Sequence, residues 1–269
     1  AESYSNARLP LCSPTTHLYS FYNAPNSPVD SIANQHYRRK HPCFITTSVP
    51  FAERRIITMK EEEKIAAGIL FCPTDEELKK IKLKTHNLNV DFNNLHEDEK
   101  QKRWEILNKM LGEIGEGSFL QGPITFHYGK HTKIGKHTFI NFNFTVQDDA
   151  SVIIGDHCDI GPNVTIVTPL HPMLANERRS LCDKDGNKKR LCYAEPVKIG
   201  SGCWICANVI ICPGVVIGNN TVVGAGSVVT RDIPANSFAA GAPCKVIRAL
   251  TQADSLKRKP EILADNQIL

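Results

Sequence analysis

One feature constrains this chain more than any other: an aliphatic residue returns at every sixth position. Ile134, Ile140, Val146 and Val152 keep the spacing, and after a two-residue skip Ile154, Ile160 and Ile166 resume it. Ile199, Ile205, Ile211, Ile217, Val223 and Val229 carry it further. Gly often follows the aliphatic, as at Gly135, Gly155, Gly161, Gly200, Gly218 and Gly224. This beat fits neither the helical period nor the strict alternation of a strand. It predicts a hexapeptide β-helix. Three hexads then close one triangular coil, with short parallel strands as sides and Gly or Asn at the corners, where φ turns positive. The aliphatics point inward and stack as ladders, so each coil buries its neighbour's face.

The beat stops once, from about Thr168 to Pro196, and "TIVTPLHPMLANERRS" (165–180) opens the gap. A packed prism has no room for a site inside, so chemistry belongs on its surface, on loops that leave the coil. We therefore read 168–196 as an extruded loop with His171 at its root.

Ahead of the repeat, residues 59–115 read as helical, a small cap for the prism. "TDEE" at Thr74–Glu77 has the form of a capping box. Trp104, Leu107, Leu111 and Ile114 form one apolar stripe at helical spacing, and Gly115 is expected to stop that helix. Residues 1–58 are rich in Ser, Thr, Pro and Asn without a sustained period, which predicts a poorly ordered extension. Their low acid content faintly resembles an organelle transit peptide, but they show no Arg-rich amphipathic helix. The expected organisation is thus an extension (1–58), a helical cap (59–115), a β-helix (116–250) and a C-terminal tail (251–269).

The formal charge is +4, yet 1–58 hold six Lys and Arg against three acids. The remainder is nearly balanced, which argues against a nucleic-acid binder. No apolar run approaches the roughly 20 residues of a membrane helix. Ten cysteines without a signal-peptide pattern read as free thiols in a reducing, cytoplasmic setting.

"IGKHTFINFNFTVQDDASVIIGDHCDIGPNVTIVTPLHP", "VKIGSGCWI" and "PGVVIGNNTVVGAGSVVTRDIPANSFAAGAPCKVIR" together resemble the maltose and galactoside O-acetyltransferases. The resemblance covers roughly residues 60–250. "NFN", "DD" and "HP" stand at the family's mutual spacing, with "GAGSVVT" and "AAGAPCKVIR" after them. It implies a left-handed parallel β-helix, a homotrimer, and acetyl transfer from acetyl-CoA to a sugar hydroxyl without a metal. By position, it implies His171 as general base and Asn141, Asp149, His127, Asp75, Trp204 and Cys192 around the acceptor. Ala207, Ala225, Thr230, Arg231, Lys245 and Arg248 fall on coenzyme-binding positions. There are departures. His127 and Ala207 each stand where galactoside enzymes have serine, and Cys192 where they have methionine. Pro73 takes an aspartate position of the galactoside type, whereas Asp75 fits the maltose pattern. The loop "CDKDGNKKRLC" is longer by several residues.

Each site residue also has a plain reading. His171 fits an ordinary loop histidine, Asn141 and Asp149 fit turns, and Arg231, Lys245 and Arg248 fit a solvated rim. Glu177 is either an orienting partner of His171 or a solvated carboxylate. Cys203-x-x-Cys206 superficially resembles a redox or zinc half-site, but Cys206 and Cys212 occupy the slot after the aliphatic, where small residues stack. His127, His131, His137 and His157 raise a rival, since γ-carbonic anhydrases house zinc on three histidines in the same fold. A catalytically silent scaffold is a further alternative. Within the transferase reading, direct transfer competes with a covalent route through Cys192.

Overall fold

The computed structural model describes residues 59–182, 186, 190–263 and 266. The expectations for 1–58, for 183–185 and 187–189 of the loop, and for 264–265 and 267–269 of the tail lie outside the described residues.

The six-residue beat winds the chain into a parallel β-helix with three faces. The first stacks Glu113–Ile114, Thr132–Ile134, Val152–Ile154, Val197–Ile199 and Val216–Ile217. The second runs from Phe119–Leu120 through Phe139–Ile140, Asp159–Ile160, Trp204–Ile205 and Val222–Val223 to Ser237–Ala240, where Lys245–Ala249 pairs antiparallel. The third stacks Ile124–Phe126, Phe144–Gln147, Thr165–Val167, Ile210–Ile211 and Val228–Val229. Leu120, Ile140, Ile160, Ile205, Val223 and Ala239 lie in register as one buried ladder. Hydroxyls and thiols build a second ladder. Ser118, Thr138, Cys158, Cys203 and Thr221 donate to Gly135, Gly155, Gly200, Gly218 and Pro234 carbonyls in the adjoining coil, at 2.6–3.1 Å. The CxxC pair thus splits. Cys203 belongs to this ladder, while the Cys206 N–H joins the next coil at Val223 O (2.9 Å).

The coils are not all equal. The step from the in-register ladder residue of the third face to that of the first, across the edge between them, is six at Ile211–Ile217. It is eight at Phe126–Ile134 and at Val146–Ile154, and 33 at Ile166–Ile199. Three successive coils therefore shed their excess chain at one edge, as 127–131, 148–151 and 168–196. Thr168 fastens the root of the longest excursion: its hydroxyl accepts from Ala150 N–H (2.8 Å) and donates to Gln147 O (2.9 Å).

After α1 (Glu61–Ala66), two helices close the open end of the prism: α2 (Glu76–Asn93) and α3 (Lys100–Met110). An open sheet end leaves a row of unpaired amides and carbonyls, and side chains of the cap pair them. Asn89 donates to Phe126 O (2.8 Å) and accepts from Phe126 N–H (3.0 Å). Asn93 does the same for Ile124, at 2.8 Å each way, and Thr85 donates to Tyr128 O (2.7 Å). Spaced four apart on α2, these residues act as a substitute strand. Buried Arg103 donates to Leu120 O and Gln121 O (2.7 Å each) while lying 4.4 Å from the Phe92 ring.

Two local expectations are corrected. The cap of α2 is Asp75, not Thr74: its Oδ1 accepts from Glu77 and Leu78 N–H at 2.9 and 3.2 Å. α3 ends at Met110, before Gly115. Leu111 is already extended, and Ile114 joins the first face beside Ile134, because Gly112 must donate to Thr132 O (3.0 Å) to enter the sheet. No helix among the described residues is long and apolar enough to cross a membrane.

Candidate active site

The edge with the excess chain concentrates polar groups in an apolar setting. A small core of Ile65, Phe71, Leu78, Tyr128, Ala150 and Cys192 lies against it. Asp148 and Asp149 are both buried there. Asp148 is fully engaged, accepting from Tyr128 N–H (2.7 Å) and the Thr132 hydroxyl (2.8 Å). Asp149 is not: its Oδ2 is buried without a hydrogen-bond partner, and so is the Tyr128 hydroxyl. Such orphans are rare in native structures, and each calls for strain, a functional role, or an ordered water or ligand to account for it. Burial first, then the charge of Asp148, pushes the Asp149 carboxyl up to about 6. Burial also raises the Tyr128 hydroxyl, with Asp149 adding to it.

α2 contributes two side chains that the sequence reading had not singled out. Lys82 donates to Pro73 O (2.6 Å), and its ammonium lies 5.5 Å from the Tyr128 ring centroid. It partly offsets the rise at Asp149. His86 meets His127, Nε2 to Nδ1 at 3.2 Å. Burial, helped by Lys82 and then His86, lowers His127 to about 4, so its ring is neutral at pH 7. The spacing of four between Lys82 and His86, beside the buried positions 78, 85, 89 and 92, was the signal available for both.

The expected acceptor residues fall in two places. Asp149, His127, Asp75 and Cys192 gather at this edge, with Asp75 Oδ1 already engaged as the helix cap. Cys192 is buried, exchanges backbone hydrogen bonds with Phe71 at 2.9 and 3.1 Å, and has its thiol pushed up to about 12, chiefly by burial. A covalent route needs an accessible thiolate, and this thiol is neither. His171 is exposed just beyond Pro169–Leu170, which pairs antiparallel with Tyr193–Ala194 at the neck of the excursion. Arg178, on the short helix α4 (Ala175–Ser180), donates to Pro172 O at 3.0 Å, fixing the turn after it.

Asn141 and Trp204 lie elsewhere, at another corner of the triangle. They line a groove of about 380 Å³ with Phe139, Asp159, Gly161 and Ala207. Trp204 is 54% exposed there, although it stands on a strand of a stable face. Gly161 has no room for a side chain, since a Cβ would approach the Ala207 nitrogen to 2.7 Å. Ala225, Thr230, Arg231, Lys245 and Arg248 are exposed on later coils. Arg248 is held in a two-pronged ion pair with Asp254, at 2.8 and 2.6 Å.

The zinc alternative finds no set of donors among the described residues. Among the described residues no three His, Cys, Asp or Glu side chains form a group able to hold a metal ion. His137 and His157 are corner residues with φ of 52° and 54°, their rings stacked 5.0 Å apart.

Comparison with known proteins decides the family. Residues 196–231 match the bacterial transferase hexapeptide (six repeats), and 64–115 match the maltose acetyltransferase hexapeptide capping motif. Galactoside O-acetyltransferase of Escherichia coli is 40% identical over 198 residues, 74% of this chain and 93% of that protein. The chain belongs to the maltose and galactoside O-acetyltransferase family. A putative acetyltransferase of Saccharomyces cerevisiae is similar at 39% identity, over 72% of this chain and 94% of its own. Among solved structures, a galactoside acetyltransferase in complex with coenzyme A aligns with a TM-score of 0.67 at 39% identity. It covers 79% of this chain and all of its own. A maltose O-acetyltransferase from Clostridium difficile gives 0.66 at 39% identity, over 72% of this chain and 98% of its own. As a member of this family, the chain is an acyltransferase rather than a silent scaffold.

Proposed function

We propose that the protein transfers the acetyl group of acetyl-CoA to a hydroxyl of a small sugar or glycoside, with His171 as general base. The observation that carries this reading is the orphaned Oδ2 of Asp149, on the edge from which the His171 segment departs. A buried carboxylate without a partner suits a ligand rich in hydroxyl donors. The names of the galactoside and maltose relatives agree with that, and the coenzyme A complex supports acetyl-CoA as donor.

In this mechanism a sugar hydroxyl, weakly nucleophilic by itself, loses its proton to the imidazole of His171 as its oxygen attacks the thioester carbonyl. The tetrahedral oxyanion that forms is stabilised by N–H donors. Its collapse breaks the C–S bond, and the departing thiolate takes the proton back from the imidazolium. The burial of Cys192 favours this direct transfer over an acetyl-cysteine intermediate.

The coenzyme would lie along the groove at Asn141, Trp204 and Ala207 and the later coils, with Ala225 and Thr230 beside it and Arg231, Lys245 and Arg248 near its phosphates. Asn141 and Asp149 occupy different corners of one prism, so a pocket using both is completed by another copy, as in a homotrimer. We place the enzyme in the cytoplasm, with the functional unit formed by the cap (59–115) and β-helix (116–250).

His171→Ala tests the base. Turnover should fall by roughly 10²–10⁴, with acetyl-CoA binding and the unfolding midpoint unchanged. A folded variant with wild-type turnover on its best acceptor would remove His171 from the mechanism.

A further inference from the structure

Two imidazoles from different parts of the fold meet at the acceptor edge. His86 belongs to α2 of the cap and His127 follows the Ile124–Phe126 strand, and a 3.2 Å contact joins His86 Nε2 to His127 Nδ1. Their ring centroids are 5.3 Å apart, and His127 packs edge-on against Tyr128 at 5.1 Å. The His127 ring thus has two aromatic neighbours that hold it in place. Its other nitrogen, Nε2, makes no hydrogen bond among the described residues. Asp149 Oδ2 and the Tyr128 hydroxyl are buried without a hydrogen-bond partner, and the Lys82 ammonium acts on His127, Asp149 and Tyr128 alike.

A neutral imidazole has one donor nitrogen and one acceptor nitrogen, and the bond made by one decides the role of the other. A free histidine side chain prefers its proton on Nε2. If both rings keep that preference, His86 Nε2–H donates to His127 Nδ1, and His127 is left with a proton on Nε2. No other arrangement lets each ring keep its commoner form across this contact.

We propose that His86 is a positioning residue for acceptor recognition, fixing His127 as an Nε2–H donor toward an acceptor oxygen that carries no proton to give. The unpaired set then comprises two donors, His127 Nε2–H and the Tyr128 hydroxyl, and one acceptor, Asp149 Oδ2. It matches a sugar presenting one hydroxyl as donor beside ring or glycosidic oxygens as acceptors. This inference rests on the reading that the acceptor binds at this edge.

The experiment is steady-state kinetics on the better of a galactoside and maltose, for His86→Ala, His86→Gln and His127→Ala. It is paired with imidazole ¹⁵N spectra of the uniformly labelled protein. His86→Ala should raise the acceptor KM about two- to tenfold, the worth of one neutral hydrogen bond, while the KM for acetyl-CoA stays in place. Gln, whose side-chain N–H reaches to about where Nε2 sits, should restore most of the loss. The wild-type spectrum should show His127 protonated on Nε2 alone, and His86→Ala should mix the two tautomers. A wild-type His127 protonated on Nδ1 overturns the proposal whether or not either sugar is a substrate. So does an unchanged acceptor KM in His86→Ala when His127→Ala raises it. If His127→Ala also leaves the acceptor KM unchanged, the placement of the acceptor at this edge falls, and this proposal falls with it.

Discussion

Asp149→Asn separates the two things this carboxylate does. Burial and the charge of Asp148 hold its proton until about pH 6, against an ordinary value of 3.8. One pKa unit is worth about 1.36 kcal/mol, so the ionised carboxylate destabilises the folded chain by at most about 3 kcal/mol. The sign follows from the direction. The folded value is the raised one, so the unfolded chain gives up this proton first. The favourable contribution is whole below 3.8 and is lost as pH rises through about 6. Asparagine keeps the shape and never ionises. In urea unfolding at one protein concentration, the variant should gain on the wild type as pH rises from 4 to 7, by up to about 3 kcal/mol, the two nearly coinciding near pH 4. Over the same range its acceptor KM should exceed that of the wild type by roughly tenfold at pH 7, since a charged acceptor of a hydrogen bond is lost. A stability difference that stays flat between pH 4 and 7 would refute the reasoning, because burial would then not be penalising the charge.

Asn89→Ala removes both partners of the Phe126 backbone pair, so two buried groups lose their bonds and unfolding should become easier by roughly 2–4 kcal/mol; a change within 0.5 kcal/mol in a denaturant titration would mean that water replaces the asparagine. Replacing Arg231, Lys245 and Arg248 together with Ala should raise the KM for acetyl-CoA by about tenfold or more while sparing the acceptor KM, and equal effects on both substrates would assign the cations elsewhere. In that set Arg248 should matter least, because Asp254 already holds its guanidinium. Light scattering on a chain beginning at Met59 should give the mass of three copies, and a monomer with full activity would sink the trimer.

What the sequence reveals depends on whether a residue's partner is a side chain that repeats or a backbone that does not. The ladders are legible because every coil repeats the same inward aliphatic, so Ile140 announces Ile160 and Ile205. Ile114 is misread for the same reason. It lies three residues from Leu111, as a helix requires, and also twenty from Ile134, as the early coils require. The sheet wins, because the open first coil needs a partner more than α3 needs another turn. The cap's chief work is invisible in the letters. Asn89, Asn93 and Thr85 bind main-chain groups of 124–128, and any strand offers those groups whatever its sequence. The orphaned oxygen of Asp149 is equally hidden, since a lack of partners has no pattern. Yet the place where such a group belongs is legible by arithmetic. Steps of eight, eight and 33 across one edge, where the next coil needs only six, mean that three stacked coils open on the same side. In a prism whose interior is full, that side is where the chain leaves its coils to make room for an acceptor.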